Sequence, residues 1–322
     1  MNSALWKKAV RESFWLLAAC TVVVYGFSWF FVYLVSRVET SRFKGVLDLL
    51  KPEIEPFAKV PIDHLIDYAG RIAVCYDEPL VFMTVSIWAI ARGSDAVSGP
   101  LGRGTLEMIL GQPVSRLQYL ISHATVTVGG VAVLSLAAWL GTMAGIATTQ
   151  VKEEPPRIHV PWLNWDFQNP FVAVDEDATV SMSSKVDAWS YIPAAVNLFA
   201  LGVFVAGLTT MVSAFDRYRW RTIGFVSGFY VVQMMVKLAA ITVKELRWMN
   251  YCTFFGSFEP QLFVYYAIKR PEYTWSFVLM NGQHEWIAPG PMMCNLLLVG
   301  LGLACYATAA FYFSRRDLPA PL

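Results

Sequence analysis

Charge is scarce in this sequence of 322 residues: Asp, Glu, Lys and Arg together make up 15%, where soluble globular domains carry about 25%. With 56% hydrophobic residues and a mean hydropathy of +0.46, that scarcity excludes an ordinary soluble domain and places the chain in a bilayer. No Lys/Arg-rich run is present and the net charge is +1, so nucleic acid is not an expected partner. The five cysteines (Cys20, Cys75, Cys252, Cys294, Cys305) contain no CxxC and read as small packing residues rather than a metal site or a disulfide framework. No HExxH occurs either. The four histidines (His64, His123, His159, His284) are scattered, and only convergence of His64, His159 and His284 in space could make a metal site, so none is expected. The absence of GxSxG speaks against a serine hydrolase. The absence of GxxxxGK[ST] means that the chain cannot hydrolyse ATP through a phosphate-binding loop.

Long apolar runs are what the sequence does have. Six membrane segments can be drawn, over 14–36, 72–91, 119–149, 188–214, 222–243 and 287–314. The second has an uninterrupted apolar core of only residues 79–91, so its helix must take in Asp77 and Glu78 or continue past Arg92. The first lacks a small-residue cleavage site and is longer than a signal-peptide core, so it reads as a retained anchor. Before it, Leu5, Trp6, Ala9 and Val10 share one helical face and Lys7, Lys8, Arg11 and Glu12 lie largely on the other, which predicts an interfacial helix over 1–13. The fold class is therefore an all-α integral membrane protein. It is one domain over 1–322 with six spans, the N-terminal interfacial helix and three extended outer loops at 37–71, 150–187 and 244–286.

The side that holds both termini carries eleven Lys/Arg and five acids, whereas the opposite side carries thirteen and nineteen over a much longer stretch of chain. This asymmetry predicts cytoplasmic termini. Trp162, Trp165, Phe167 and Trp189 fall near span ends, as aromatic belts do. The pairs Gly141/Gly145 and Gly224/Gly228 offer close-packing faces, within one protomer or between two. Polar residues inside or beside the spans are candidates for a translocation path: Asp77, Glu78, Asn197, Gln233 and Lys237. For each there is a plain structural alternative, namely interfacial solvation for Asp77 and Glu78, helix bridging for Asn197 and Gln233, and snorkelling for Lys237. His123 reads as a packing or capping residue.

One polar stretch, "GRGTLEMILGQPVSR" (102–116), interrupts the apolar pattern between the second and third spans. Gly102 and Gly104 loosen the backbone, 105–110 supplies one or two helical turns with Glu107 in the first, Gly111 ends them and Pro113 enforces a break. Ser115 and Gln118 have capping-box spacing and should start the third membrane helix. A helix this short is unstable alone, so Leu106, Ile109 and Leu110 must dock on something, either this protein's own surface or another protein.

The longer segment "ARGSDAVSGPLGRGTLEMILGQPVSRLQYL" (91–120) resembles the connection between the second and third spans of bacterial ABC transporter permeases of the type-2 export class. Pro100 departs from that pattern, since many relatives carry an acid there. The resemblance implies that residues 92–118 form a cytoplasmic coupling segment seated in a cleft of a separate ATPase subunit. Arg103, Gly104, Thr105, Leu106, Glu107, Ile109, Leu110, Gln112, Pro113 and Arg116 would make the contact. The partner would cover the apolar face of Leu106, Ile109 and Leu110, and Arg103, Glu107 and Arg116 would frame it with charge. It further implies a bacterial inner-membrane permease working as an exporter, paired with a second copy or a paralogue and in contact with membrane lipid. ATP and Mg2+ would be bound by the ATPase, and no cofactor by this chain. The rival readings are an ATPase-coupled anchoring or assembly factor, an integral-membrane enzyme and, more remotely, a secondary transporter.

Overall fold

The computed structural model describes residues 3–38, 60–152, 157–160, 165–168, 179–280 and 286–316. Six of its helical stretches are long and apolar enough to cross a membrane, and they fall where the apolar runs predict. The chain is an all-α membrane protein with a few short strands. The six spans put both termini on one face, here the terminus face, and the long connections on the opposite loop face.

The first span is helix α1 (Ser3–Arg37), unbroken because its residues include no proline and a single glycine, Gly26. At 1.5 Å per residue it is about 52 Å long, well beyond the ~30 Å of bilayer hydrocarbon. Residues 3–13, predicted as an interfacial helix, are therefore not set off as a separate element but continue the span towards the terminus face. The second span is interrupted. Helix α2 (Ile62–Ile66) leads into α3 (Tyr68–Ala73), a 3-10 turn (Val74–Asp77) and α4 (Pro79–Ser94). Pro79 sits where a helix can begin, so the helix restarts there with Glu78 as its N-cap residue, and the backbone carbonyl of Glu78 accepts from the amides of Val81 and Phe82. Of the two ways of lengthening the short apolar core the helix uses one: it leaves Asp77 and Glu78 outside and runs past Arg92 to Ser94.

Two short helices, α5 (Ser98–Gly102) and α6 (Thr105–Leu110), then turn on the terminus face. Helix α7 (Arg116–Thr148) starts at the predicted capping box. Gln118 N donates to Ser115 Oγ over 3.1 Å and Ser115 N to Gln118 Oε1 over 3.2 Å. On the loop face, strand β1 (Gln150–Lys152) pairs with β4 (Thr179–Ser181), and β2 (Arg157–Val160) with β3 (Trp165–Gln168), both antiparallel. The chain returns through α8 (Ile192–Phe215) and α9 (Arg219–Thr242). The last span, α11 (Pro291–Arg315), follows the hairpin of β5 (Val278–Met280) and β6 (Trp286–Pro289).

Buried α8 is the centre of the bundle, and α11 packs most extensively against it. Their crossing is close: a Cβ on Gly207 would lie 2.3 Å from the Gly302 carbonyl oxygen. Gly141 and Gly145 do the same work against α1, where a Cβ would meet Tyr25 O at 2.4 Å and Val32 at 2.6 Å. Gly224 and Gly228, by contrast, face open space.

Between α9 and α11 the chain re-enters the bundle. A nine-residue 3-10 stretch (Lys244–Cys252) runs back along α9, a turn follows at Phe254–Ser257, and α10 (Pro260–Lys269) climbs out against α8. Phe254, Phe255 and Phe258 are buried at the tip, among Phe82, Phe204 and Tyr230. The outer loop predicted at 244–286 is thus in part a component of the membrane core. Its sequence pattern of aromatics and acids hides this, because the apolar tip is only a few residues long.

Candidate functional site: the terminus-face coupling segment

The turn from α4 into α5 is fixed by side chains of the later spans. Ser213, fully buried near the end of α8, accepts from the amides of Val97 and Ser98 over 3.1 and 2.9 Å. Ser98 Oγ lies 3.2 Å from Thr222 Oγ1 of α9. Asp95, just past the last residue of α4, is the acid of the segment: Arg103 Nη1 reaches its Oδ1 at 3.0 Å and Arg219 Nη1 at 3.5 Å. Arg219 also donates to Ser94 Oγ and Ala91 O over 3.3 and 3.1 Å, which ties the start of α9 to the end of α4. Pro100 is buried, and the ion pairs of the segment are made by Asp95, five residues earlier. Nothing local in the sequence marks Asp95, Ser213 or Arg219 as parts of this turn, because the three are brought together only by the packing of α4, α8 and α9.

Gly104 has a φ of +68°, a left-handed conformation that lets the chain reverse between α5 and α6. Thr105 Oγ1 donates to Pro100 O over 3.3 Å. Leu106 is fully buried in a cluster with Leu101, Tyr119, Leu120, Ala214 and Phe313, and Ile109 and Leu110 are partly buried against the same cluster. The expectation that a partner covers Leu106 is therefore corrected: the helix is seated on its own protein through that side chain. What it leaves outward is Met108, 75% exposed, with Arg103, Gly104, Gly111, Gln112 and Pro113 also exposed around it. The side chain of Glu107 lies outside the described residues.

Arg116 is corrected as well. Half-buried, it donates through Nη1 to Phe313 O over 3.2 Å and to Arg316 O, so it clasps the end of α11 rather than framing an exposed surface. Arg316 in turn donates to Ala214 O over 2.7 Å. Behind the segment lies a cavity of about 160 Å³ whose lining includes Lys8, Glu12, Asp95, Arg103, Tyr119 and His123. His123 Nε2 is 3.2 Å from Arg92 Nη2. A guanidinium only donates, so Nε2 is the acceptor and the imidazole proton sits on Nδ1.

The polar candidates of the spans come to a different place, on the loop-face side. Asn197 Nδ2 donates to Ser257 O and Asn295 Oδ1 over 3.0 and 2.8 Å, and its Oδ1 accepts from Glu259 N over 3.0 Å. Lys237 Nζ donates to Phe258 O over 2.8 Å and lies 5.9 and 5.8 Å from the Phe255 and Phe258 rings. The Gln233 backbone carbonyl accepts from Thr253 Oγ1 over 3.0 Å, while its side-chain Oε1 is buried without a partner. These groups satisfy the irregular backbone of the re-entrant tip, a condition for non-helical chain at membrane depth. Asp77 and Glu78, half-buried, sit at the break of the second span.

His64 is buried on the loop face with both ring nitrogens unpartnered, edge-on to Tyr265 at 5.1 Å. Burial pulls its pKa below the ordinary histidine value, opposed by Asp67 and helped by Lys269. The side chains of His159 and His284 lie outside the described residues, and among the described residues no cluster of three metal-ligating side chains occurs.

Residues 6–318 match the family described as ABC-2 family transporter protein. A comparison with curated proteins gives no match.

Proposed function

The chain belongs to the ABC-2 family of transporter proteins, and from that membership we propose that it is the membrane half of an ATP-driven exporter, moved by a separate ATPase subunit. The observation that carries the reading is the contrast within one helical turn of α6: Leu106 is fully buried in the protein's own core, and Met108 two residues later is 75% exposed. A six-residue helix has no stability of its own. Seated by Leu106, it holds Met108, Gln112 and Pro113 outward as a fixed surface, with Arg103 at its edge. A flexible, polarizable methionine suits a cleft of another protein.

On this reading the terminus face is cytoplasmic, in line with its higher density of Lys and Arg. Motion of α6 passes to the membrane helices by two routes. The Leu106 cluster touches α7, α8 and α11, and the Arg103–Asp95–Arg219 bridge reaches α4 and α9. Energy comes from the partner, which binds ATP and Mg2+. A second permease, identical or homologous, completes the path. The test is mild-detergent purification from native membranes. An ATP-binding subunit is expected to co-purify with the wild type and to be lost with Met108→Asp at equal permease abundance. Its retention by Met108→Asp, or its absence from the wild type, contradicts the proposal.

A further inference from the structure

A second cavity among the described residues plays no part in the coupling segment. It is a groove of about 580 Å³ between α7, α8 and α11. Its wall on α7 runs from Leu120 to Ala132, and it closes at the level of Ala132, Phe199 and Val299. Only two polar side chains line it. The Thr125 hydroxyl is spent on Ile121 O, 2.7 Å away within its own helix, and the Tyr306 hydroxyl is buried. Gly129 opens the floor, since a Cβ built there would meet nothing within 4 Å.

Length decides what fits. The twelve-residue rise along α7 is about 18 Å, close to the ~15 Å of one leaflet of a 30 Å hydrocarbon core. A transmembrane helix of a partner would need a groove that continues through the second leaflet, and this one stops. An acyl chain is one leaflet long. Charge at the open end points to the headgroup. One turn beyond Leu120, on the same face of α7, stands Arg116. Among the described residues its hydrogen bonds, to Phe313 O and Arg316 O, run from Nη1 alone, which leaves Nε and Nη2 for a phosphate.

We propose that this groove holds one acyl chain of an anionic phospholipid from the leaflet at the terminus face, its phosphate held by Arg116. The lipid lies against α8 and α11, whose terminus-side ends also form the Leu106 cluster, so its occupancy bears on the seat of α6.

The test uses the full chain in nanodiscs of mixed phosphatidylcholine and phosphatidylglycerol, with a phosphatidylglycerol probe carrying a diazirine in its acyl chain. Adducts are expected on peptides covering 120–132 and 299–310, well above those on the exposed face of α9 over 224–238. Gly129→Leu and, independently, Thr125→Trp should bring groove labelling down to the α9 level while the protein remains monodisperse. A phosphatidylcholine probe should label the groove less, and Arg116→Gln should remove that difference; a difference that survives Arg116→Gln overturns the headgroup site. Equal labelling of the groove and the α9 face in the wild type overturns the site. So does full labelling in both filled variants. Equal labelling by the two probes overturns the assignment of an anionic headgroup.

Discussion

At the scale of single residues, the terminus face is governed by which polar groups are shared. Asp95 serves two arginines on different elements, Arg103 from the coupling segment and Arg219 from α9. Asp95→Asn removes the charge from both bonds while keeping the shape. It should leave the fold and ATPase binding intact and lower ATP-driven transport several-fold, measured as uptake into inverted vesicles against ATP hydrolysed. Wild-type coupling in Asp95→Asn would show that the Leu106 cluster alone carries the motion. Leu106→Ala acts differently. It opens a cavity in the seat of α6 and should destabilise that region by about 2–5 kcal/mol, read as faster proteolysis near Gly111. The sequence announces α6, Gly104 and the Ser115–Gln118 cap, because local chemistry determines them. It assigns Leu106 and Met108 poorly, because which side of a two-turn helix faces its own protein depends on Tyr119, Ala214 and Phe313, contributed by three different spans.

At the scale of elements, the re-entrant segment after α9 explains residues that polarity alone left ambiguous. Asn197 makes three hydrogen bonds, two of them to backbone groups flanking the tip, Ser257 O and Glu259 N. Asn197→Ala strands those groups and should cost about 2 kcal/mol or more, seen as a lower unfolding temperature and as protease access to 244–257. Asn197→Asp keeps the acceptor but adds a buried charge, and should be worse. No hydropathy window reveals this segment, since its membrane-embedded part is shorter than a span. The interrupted second helix was legible to the extent that 79–91 was visibly too short, and Pro79 marks where the break falls. A second test concerns α2, which rests on α10 through His64 and Tyr265 with the Lys269–Asp67 ion pair beside them at 3.4 Å. Because burial lowers the His64 pKa in the folded state, the unfolded state takes up the proton more readily. Stability therefore falls as pH drops below the free-histidine value of about 6.5. Hydrogen exchange in α2 and α10 should quicken below that pH in the wild type, and His64→Leu should remove the dependence.

At the scale of the whole molecule, the six spans and the charge asymmetry between faces were readable from composition because a bilayer imposes them on any chain that crosses it. The loop face is less legible, as short hairpins such as β2–β3 carry no strong periodic signal. The same architecture leaves α9 peripheral, with Gly224 and Gly228 open and an apolar outer face. Gly141 and Gly145 look similar in sequence but are consumed within the protomer. The central claim, that α6 presents Met108 to an ATPase on the terminus face, is tested most directly by photo-crosslinking in native membranes. A crosslinking residue replaces Met108 in one sample and Trp248, exposed on the re-entrant segment that begins at the loop face, in another. The account predicts a covalent adduct between position 108 and an ATP-binding protein, and none from position 248. No adduct from 108, or an ATP-binding protein captured from 248, would contradict it.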